Sequence, residues 1–313
     1  MTPVSVRVPA KVNLQLSVGP VRDDGFHDLV NVFHAVSLFD EVTAEPALEL
    51  SVVVEGAAGL TLDAVPTGPD NLAAKAAAQL AAHIGVEPAV RLRIHKAIPI
   101  AGGMAGGSAD AAAALVACNA LWNAGLDRDA LLNLAASLGS DVPFALLGGT
   151  AVGLGRGDRL SPALTRGRFD WVFAFADGGL STPAVYAECD RLREADGAQA
   201  DGAQADGAQV SLPQVSQSLM AALAAGDSTA LGEELRNDLQ PAALRLRPSL
   251  RRTLAAGREL GALGALVSGS GPTCAFLAES EDQAVDMAAA LSGLDVATSV
   301  VRAHGPVPGA AIC

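Results

Sequence analysis

Strict alternation of apolar and polar positions marks one segment of the first half of the chain. In residues 90–94, Val-Arg-Leu-Arg-Ile, every second position is apolar. A period of two predicts a β-strand with one face on a core and the other face in water. Short runs of β-favouring residues at 4–8, 48–54 and 171–176 predict three further strands.

Helical patterns alternate with these strands. The alanine-rich stretch 71–84 predicts a helix that ends near Gly85, and the nearly uncharged stretch 108–124 predicts a buried helix that ends at Gly125. A third helix should begin after Asp127, a favoured N-cap, and stop at Gly139. In the second half the patterns predict helices at 215–225, 249–260 and 282–291 and strands at 264–267, 273–277 and 296–302.

Strands and helices grouped in both halves predict an α+β protein of two domains. The length of 313 residues fits two domains of about 150 residues each. We place the N-terminal domain at 1–160 and the C-terminal domain at 161–313. Within the second, residues 196–209 repeat the pentad Asp-Gly-Ala-Gln-Ala without any large apolar side chain, which predicts a flexible surface insertion.

Charge and composition exclude several classes of protein. The chain carries 21 Lys and Arg against 34 Asp and Glu, a net charge of −13, which argues against a general binder of nucleic acid or anionic membranes. No signal-peptide pattern opens the chain, and the long uncharged run 260–278 includes four Gly and one Pro, unlike a membrane helix. The four Cys are widely spaced, as is typical of reduced thiols. We expect a soluble cytoplasmic protein, a monomer or weak homodimer.

The glycine-rich stretch 99–112, Pro-Ile-Ala-Gly-Gly-Met-Ala-Gly-Gly-Ser-Ala-Asp-Ala-Ala, links the strand at 90–94 to the helix from Ser108. Glycine pairs let an anion approach the backbone, and a helix N-terminus presents unpaired N–H groups. The stretch lacks the lysine of a Walker A loop, and Met104 stands where the dinucleotide fingerprint needs Gly. A tight turn alone needs fewer glycines, so the pattern favours a phosphate site.

Three other segments admit both a structural and a functional interpretation. Lys11 and Asn13 lie two apart on one strand face, yet Lys11 taken alone is more typical of a solvated surface amine. Asp141 precedes Pro143 at a predicted helix start, which suits either an N-cap or a base. The Ser-Gly segment 267–273 suits either a plain hairpin or a loop that donates to an anion.

Phe26 and His27 follow a turn and have the chemistry to stack on, and hydrogen-bond to, a planar base. A lone histidine is more often structural or simply exposed. The spacing around His27 matches no metal-ligand signature.

Together, the segments 9–13 (Pro-Ala-Lys-Val-Asn), 102–112 and 268–272 resemble the three motifs of the GHMP kinases, which use ATP. Asp-Gly-Phe-His at 24–27 and Ser-Asp-Val-Pro-Phe at 140–144 are similar to the branch that phosphorylates a cytidyl-diphosphate substrate in the non-mevalonate route to isoprenoids. The resemblance covers most of the chain except 196–209. It implies an N-terminal domain like the second domain of ribosomal protein S5, a C-terminal ferredoxin-like domain, and a substrate cleft between them.

The resemblance also implies roles for individual residues by motif position. The base for the substrate hydroxyl would be Asp141, with Lys11 beside it, and Mg²⁺ would lie near Ser108. The implied ATP-binding residues are Pro99, Ala101, Gly102, Gly103, Met104, Ala105, Gly106, Gly107 and Ser108, with Asn71 and Lys96 on the adenine side. The implied substrate-binding residues are Asn13, Phe26, His27, Thr182, Tyr186, Gly269 and Ser270.

Four positions depart from the family pattern. Phe26 occupies a position where the family usually has Tyr, and Tyr186 occupies one where it often has Phe. An aromatic ring is therefore kept at both positions. Ala105 replaces a loop Gly, which we expect to be tolerable only with a negative φ. Ala109 stands where a second Ser is common, which leaves Ser108 as the expected Mg²⁺ ligand.

Two rival functions stay open at this point. One is another GHMP kinase acting on homoserine or a mevalonate derivative, although the aromatic-His pair at 26–27 and Tyr186 favour a nucleobase-bearing substrate. The other is a catalytically inactive nucleotide-binding module. The joint presence of Lys11, Asp141 and Ser108 weighs against it.

Overall fold

The computed structural model describes residues 2–23, 25–57, 62–201 and 212–313, and for 196–201 it describes the backbone alone. The strands are β1 (Val4–Val21), β2 (His27–Pro46), β3 (Ser51–Gly56), β4 (Val90–Lys96), β5 (Thr150–Gly155), β6 (Arg159–Pro162), β7 (Phe169–Phe175), β8 (Arg236–Asn237), β9 (Gly264–Val267), β10 (Cys274–Ala278), β11 (Ser299–Gly305) and β12 (Ala311–Ile312). The helices are α1 (Leu72–Ile84), α2 (Gly106–Leu121), α3 (Arg128–Leu138), α4 (Val142–Leu147), α5 (Thr182–Asp201), α6 (Gln217–Ala225), α7 (Ser228–Glu234), α8 (Gln240–Leu246), α9 (Leu250–Glu259) and α10 (Glu281–Gly293).

A long antiparallel pair, β1 with β2, forms the centre of the larger sheet. The strand order is β12-β1-β2-β4-β3, with β5 also on β2, β6 on β5, and β8 parallel to β1. β4 keeps the predicted alternation, since positions 90, 92, 94 and 96 are buried and the three between them are exposed. The buried face of this sheet packs on the alanine-rich helices α1 and α2 in the main hydrophobic core.

Helix ends in the first half follow local capping chemistry where the sequence predicted it. The Asn71 side chain accepts hydrogen bonds from two N–H groups at the start of α1, and Gly85 ends that helix with a left-handed φ of 72°. Asp127 caps α3, which stops at Gly139. Helix α2 differs from the prediction, because it begins at Gly106 rather than Ser108 and ends at Leu121, before Gly125.

The smaller sheet has the antiparallel order β11-β7-β10-β9. Along the chain the order is β7, helices, β9, β10, α10, β11, so the sheet has the strand arrangement of a ferredoxin-like βαββαβ unit. Helices α5, α8, α9 and α10 pack with this sheet in a second core. The predicted α+β class and the predicted ferredoxin-like C-terminal domain are confirmed.

The chain passes between the two sheets more than once. Strand β6 spans residues on both sides of the predicted boundary at 160, and it pairs with β5 of the larger sheet. Strands β8 and β12 come from the second half and pair with β1. These crossings hold the two sheets side by side and leave a cleft where they meet.

The pentad repeat falls partly within the described chain. Helix α5 continues to Asp201, through the first six residues of the repeat, where the sequence predicts a flexible insertion. Alanine and glutamine favour helix, which accounts for this extension. Residues 202–209 lie outside the described residues.

The described residues were also compared with the requirements for a membrane-spanning helix and for disulfide bonds. Within the described ranges, no helix combines the length and apolarity needed to cross a bilayer. The four cysteines are free thiols, of which only Cys313 is exposed.

Candidate active site

A cleft of about 1150 Å³ collects most of the predicted site residues. Both halves of the chain line it. The predicted residues that line it are Lys11, Asn13, Phe26, His27, Pro99, Ala101, Gly102, Gly103, Ala105, Gly106, Gly107, Ser108, Asp141, Thr182, Tyr186, Gly269 and Ser270. Met104, Asn71 and Lys96 do not line it.

The glycine loop and the start of α2 form one wall of the cleft. Because α2 begins at Gly106, its first N–H groups have no partner within the helix. Ser108 lies in this first turn and lines the cleft. A Cβ placed on Gly107 would meet nothing within 4 Å, so the space before this turn is open. The wall therefore offers backbone donors and the positive end of a helix dipole to an anion.

Ala105 adopts a left-handed conformation, which corrects the expectation of a negative φ. Its φ is 61°, and Ala101 in the same loop has a φ of 51°. Such a conformation costs an alanine roughly 1–2 kcal/mol. Ala105 is the N-cap of α2, and its carbonyl accepts the first helical hydrogen bond from Ala109. The sharp entry into this helix, rather than the residue type, sets the backbone angle.

The second glycine-containing loop, 267–273, braces the first. Any Cβ on Gly103 would overlap the Ser268 carbonyl, and Gly103 has a φ of 78°. The Ser268 hydroxyl donates to the Gly103 carbonyl at 3.1 Å. The Thr273 N–H donates to the Gly102 carbonyl at 3.3 Å. The segment is a turn between β9 and β10, and it also holds the glycine loop in place across the cleft.

Lys11 lies at the junction of β1, the glycine loop and Asp141. Its amine donates to Asn13 Oδ1 at 2.6 Å and to the Gly103 carbonyl at 3.0 Å. Asp141 Oδ2 lies 3.9 Å away. Burial lowers the pKa of Lys11, and the charge of Asp141 opposes this without cancelling it. Lys11 is therefore a buried cation at the cleft wall, not a solvated surface amine.

Asn13 orients Lys11. Its amide oxygen accepts from the Lys11 amine, and its amide nitrogen donates to Asn31 Oδ1 at 2.7 Å. A Cβ on Gly269 would lie 3.3 Å from this amide oxygen, so the second loop closes over the pair. The predicted contact of Asn13 with a base edge stays a prediction.

The Asp141 side chain does not cap a helix. Asp141 occupies the N-cap position of α4, but its carboxylate makes no capping hydrogen bond. The side chain is 29% exposed and faces Lys11. Of the two interpretations the sequence leaves open, the geometry favours a carboxylate available as a base.

Lys96 and Asn71 lie behind the glycine loop. The Lys96 amine contacts Asp40 and lies 2.7 Å from Asp110 Oδ2, and all three residues are buried. Asn71 is taken up by its helix cap and by a bond to the Pro66 carbonyl. Because both side chains have protein partners outside the cleft, their adenine contacts stay a prediction. Met104 is fully buried in the core.

The ring-bearing residues form another part of the cleft lining. His27, at the start of β2, and Tyr186, on α5, have ring centroids 5.1 Å apart. His27 Nε2 lies 2.9 Å from Asp190 Oδ1. Thr182, at the start of α5, is joined to the second loop by a 2.9 Å contact between its hydroxyl and that of Ser270. This part of the cleft presents the flat apolar faces of rings together with a few polar atoms.

Sequence reasoning missed two charged residues that line the cleft, Arg156 and Asp190. The Arg156 guanidinium lies 5.5 Å from the ring centroid of Phe26, which is 53% exposed. A basic residue between two glycines at 155–157 is a signal for a loop that approaches an anion. Asp190 follows Tyr186 by four residues, which on a helix is the same face.

The residues of the cleft fit ATP with Mg²⁺. The described residues hold no group of three His, Cys, Asp or Glu side chains suited to a metal. Mg²⁺ usually keeps several waters and binds through one or two protein oxygens together with phosphate oxygens. The Ser108 hydroxyl and the Asp141 carboxylate are oxygen ligands of that kind, and the open helix N-terminus suits the phosphate oxygens.

Comparison with known proteins identifies the family. Residues 71–149 match the GHMP kinases N terminal domain, and residues 219–294 match the GHMP kinases C terminal domain. The 4-diphosphocytidyl-2-C-methyl-D-erythritol kinase of Thermobifida fusca is 59% identical over 99% of this chain and 98% of its own. The chain belongs to the GHMP kinases. Its N-terminal match includes the glycine loop and Asp141, and its C-terminal match includes the loop 267–273.

Further relatives indicate which branch of the GHMP kinases the chain resembles most. The 4-diphosphocytidyl-2-C-methyl-D-erythritol kinase of Nocardia farcinica is 58% identical over 99% of this chain and 96% of its own. A crystal structure of 4-(cytidine 5'-diphospho)-2C-methyl-D-erythritol kinase superposes with a TM-score of 0.74 at 34% identity, covering 96% of this chain and 98% of that one. Homoserine kinase from Cytophaga hutchinsonii shares the fold at 17% identity, with a TM-score of 0.71 over 100% of this chain and 98% of that one. The predicted resemblance to this kinase branch is confirmed, and membership makes the chain an ATP-dependent small-molecule kinase.

Proposed function

We propose that the protein transfers the γ-phosphoryl group of ATP to the 2-hydroxyl of 4-diphosphocytidyl-2-C-methyl-D-erythritol, giving the 2-phosphate and ADP in the non-mevalonate route to isopentenyl diphosphate. One observation carries the proposal. A single cleft holds the Lys11–Asp141 pair beside the glycine loop together with the His27–Tyr186 ring pair. Relatives more than half identical over nearly the full chain bear the name of this kinase.

Phosphoryl transfer depends mainly on positioning and charge neutralisation. The N–H groups of residues 102–107 and of the first turn of α2 bind the β- and γ-phosphates. The Ser108 hydroxyl would hold Mg²⁺, which would supply positive charge to neutralise the phosphates. The domains 1–160 and 161–313 supply opposite walls of the cleft.

Asp141 acts as the general base. Its carboxylate accepts the hydroxyl proton while the hydroxyl oxygen bonds to the γ-phosphorus and the bond to the β-phosphate oxygen breaks. Lys11 favours the ionised form of Asp141 and stabilises the negative charge that develops on the transferring group. Asn13 holds the Lys11 amine in position.

The ring-bearing residues of the cleft and their polar neighbours recognise the base. Phe26 and Tyr186 supply flat faces for the cytosine, His27 supplies a polar atom for its edge, and Thr182, Gly269 and Ser270 border the cytidine. Arg156, beside Phe26, supplies a cation towards the substrate diphosphate.

A coupled ADP-release assay with three candidate acceptors tests the proposal. We expect turnover with the cytidyl substrate and none with mevalonate or homoserine. Turnover of either of these instead would point to another GHMP kinase activity. ATP binding without any turnover would favour an inactive nucleotide-binding module. The protein is expected to run as a monomer or weak homodimer in size-exclusion chromatography with light scattering.

A matched pair of variants tests the base site. We expect His27→Ala to raise the KM for the cytidyl substrate about tenfold with a smaller change in kcat, because the ring contributes to ground-state binding. His83→Ala, on the exposed last turn of α1, is the control and should leave the KM unchanged. An unchanged KM in His27→Ala would remove His27 from base recognition.

A further inference from the structure

We propose that Asp190 is a positioning residue that fixes which ring nitrogen of His27 faces the base, and thereby makes the enzyme prefer a cytosine-bearing to a uracil-bearing substrate. This inference rests on the proposed function, because it concerns how the cytidyl group is recognised. Asp190 touches neither the transferring phosphoryl group nor the acceptor hydroxyl in this scheme, and it acts through His27.

The contact between Asp190 and His27 determines the position of a ring proton. Asp190 Oδ1 lies 2.9 Å from His27 Nε2, and the His27 side chain is only 7% exposed. An ionised carboxylate accepts hydrogen bonds and cannot donate one. In the neutral form of the imidazole, this contact therefore selects the tautomer with its hydrogen on Nε2 and a lone pair on Nδ1.

Nδ1 is the ring nitrogen left for a ligand. Among the residues that the structure describes, none makes a hydrogen bond to His27 Nδ1, and this atom is not among the buried polar atoms that lack a partner. His27 lines the cleft. The ring thus presents an acceptor at the base end of the cleft.

Helix α5 holds the ring from two directions. Tyr186 and Asp190 are four residues apart on α5 and therefore share a face. The Tyr186 ring packs on the His27 ring with a centroid distance of 5.1 Å and an interplanar angle of 33°. One residue packs on the face of the imidazole while the other binds its edge, so the ring has little freedom to turn over and exchange its nitrogens.

An acceptor at this position distinguishes the two pyrimidines. Cytosine carries an exocyclic amine, which donates, where uracil carries a carbonyl oxygen, which accepts. The Nδ1 lone pair pairs with the amine and faces the carbonyl oxygen without a hydrogen between them. A site built to pair with one hydrogen-bonding group rejects an analogue that leaves it unpaired.

The test compares kcat/KM for the cytidyl substrate and its uridyl counterpart in wild type, Asp190→Ala and Asp190→Asn. We expect the ratio to fall about tenfold or more in Asp190→Ala, since the ring can then place a hydrogen on Nδ1 and donate to uracil. Asp190→Asn, whose amide binds either tautomer, should give an intermediate ratio and serves if the alanine variant does not fold. Glu188→Ala, on the same helix and paired with Arg191 and Arg245, is the control and should keep the wild-type ratio.

Nitrogen NMR of histidine-labelled protein gives an independent readout. Wild type should show His27 protonated at Nε2, and Asp190→Ala should show a mixture of tautomers. A wild-type ratio in both Asp190 variants, or a single Nε2–H tautomer that persists in Asp190→Ala, would overturn the inference while leaving the proposed kinase function intact. Absence of wild-type turnover with the cytidyl substrate would overturn the proposed function and this inference together.

Discussion

Two lysines lie buried beside the same glycine loop, and their surroundings are opposite. Lys11 is 6% exposed and Lys96 is 2% exposed. Burial lowers the pKa of Lys11, whose single carboxylate partner is 3.9 Å away. Burial alone would lower the pKa of Lys96 as well, but the charges and hydrogen bonds of Asp110 and Asp40 outweigh it and raise the pKa.

The contrast separates a structural cation from a functional one. Lys96 lies beneath Gly106 between two buried carboxyl groups, Asp40 and Asp110, and none of these three residues lines the cleft. Asp40 also accepts from the Ala97 and Ile98 N–H groups, so the cluster ties β2 and β4 to the start of the glycine loop. Lys11 faces the cleft with its charge only partly matched. It is suited to receive an anion.

The same substitution at the two lysines should give opposite results, and the largest effect is on stability. We expect Lys96→Met to lower the free energy of unfolding by about 3–5 kcal/mol, because it leaves two buried carboxylates without their cation. Urea unfolding followed by circular dichroism measures this. Adding Asp110→Asn to Lys96→Met should recover part of the loss. A loss below about 1 kcal/mol would mean that the cluster does not hold the fold in this way.

Lys11→Met should damage activity and spare stability. We expect kcat to fall roughly 10²-fold or more, since the cation beside the transferring group is removed. The free energy of unfolding should stay level or rise, because a lysine whose pKa is lowered by burial is a destabilising charge below that pKa. Steady-state kinetics and urea unfolding on one preparation measure both. Equal loss of stability at the two lysines would contradict the distinction.

Asp141→Asn should resemble Lys11→Met in its kinetics. We expect kcat to fall roughly 10²-fold or more with the fold intact, because the amide cannot take the hydroxyl proton. Asp286→Asn, at an exposed position of α10 outside the cleft lining, makes the same chemical change and should leave kcat near wild type. Wild-type turnover in Asp141→Asn would rule out this residue as the base.

The smallest effect is a change in proton uptake. Bound phosphate favours the charged form of Lys11, so its pKa is higher in the complex than in the free protein. At alkaline pH, above the lowered pKa of the free protein, a non-hydrolysable ATP analogue should therefore bind with uptake of up to one proton, and binding should weaken as pH rises. Calorimetry in two buffers of different ionisation enthalpy measures this. Uptake should vanish in Lys11→Met and persist in Lys75→Met, which changes an exposed lysine of α1 outside the cleft lining.

Elements with local signals were predictable from sequence. The ends of α1 lie at Asn71 and Gly85, and those of α3 lie at Asp127 and Gly139. These ends could be predicted because capping involves residues only a few positions apart. The alternation in β4 was visible because one face is buried and the other exposed. Strand β2 was not predicted, since much of it is buried on both faces and shows no period of two.

The residues of the candidate site also divide into those that the sequence predicted and those that it did not. The glycine loop, Asp141 and the aromatic-His pair were visible as motifs. Arg156 carried only the signal of its two flanking glycines, and Asp190 carried none, because a single charged residue in the sequence carries no sign of what it faces. Ala105 shows a further limit. Its residue type predicted a negative φ, and the entry into α2 imposed a positive one.

By itself, the sequence determined the α+β class, the kinase family and the motif that forms the phosphate site, since these depend on periodicity and on residue types at fixed short spacings. Only the tertiary structure decided which buried lysine faces the cleft and which nitrogen of His27 remains for a ligand. Both depend on carboxylates far away in sequence: Asp40 and Asp110 for Lys96, Asp141 for Lys11, and Asp190 for His27. Burial and charge at a site are properties of neighbours in space, and folding brings those neighbours together.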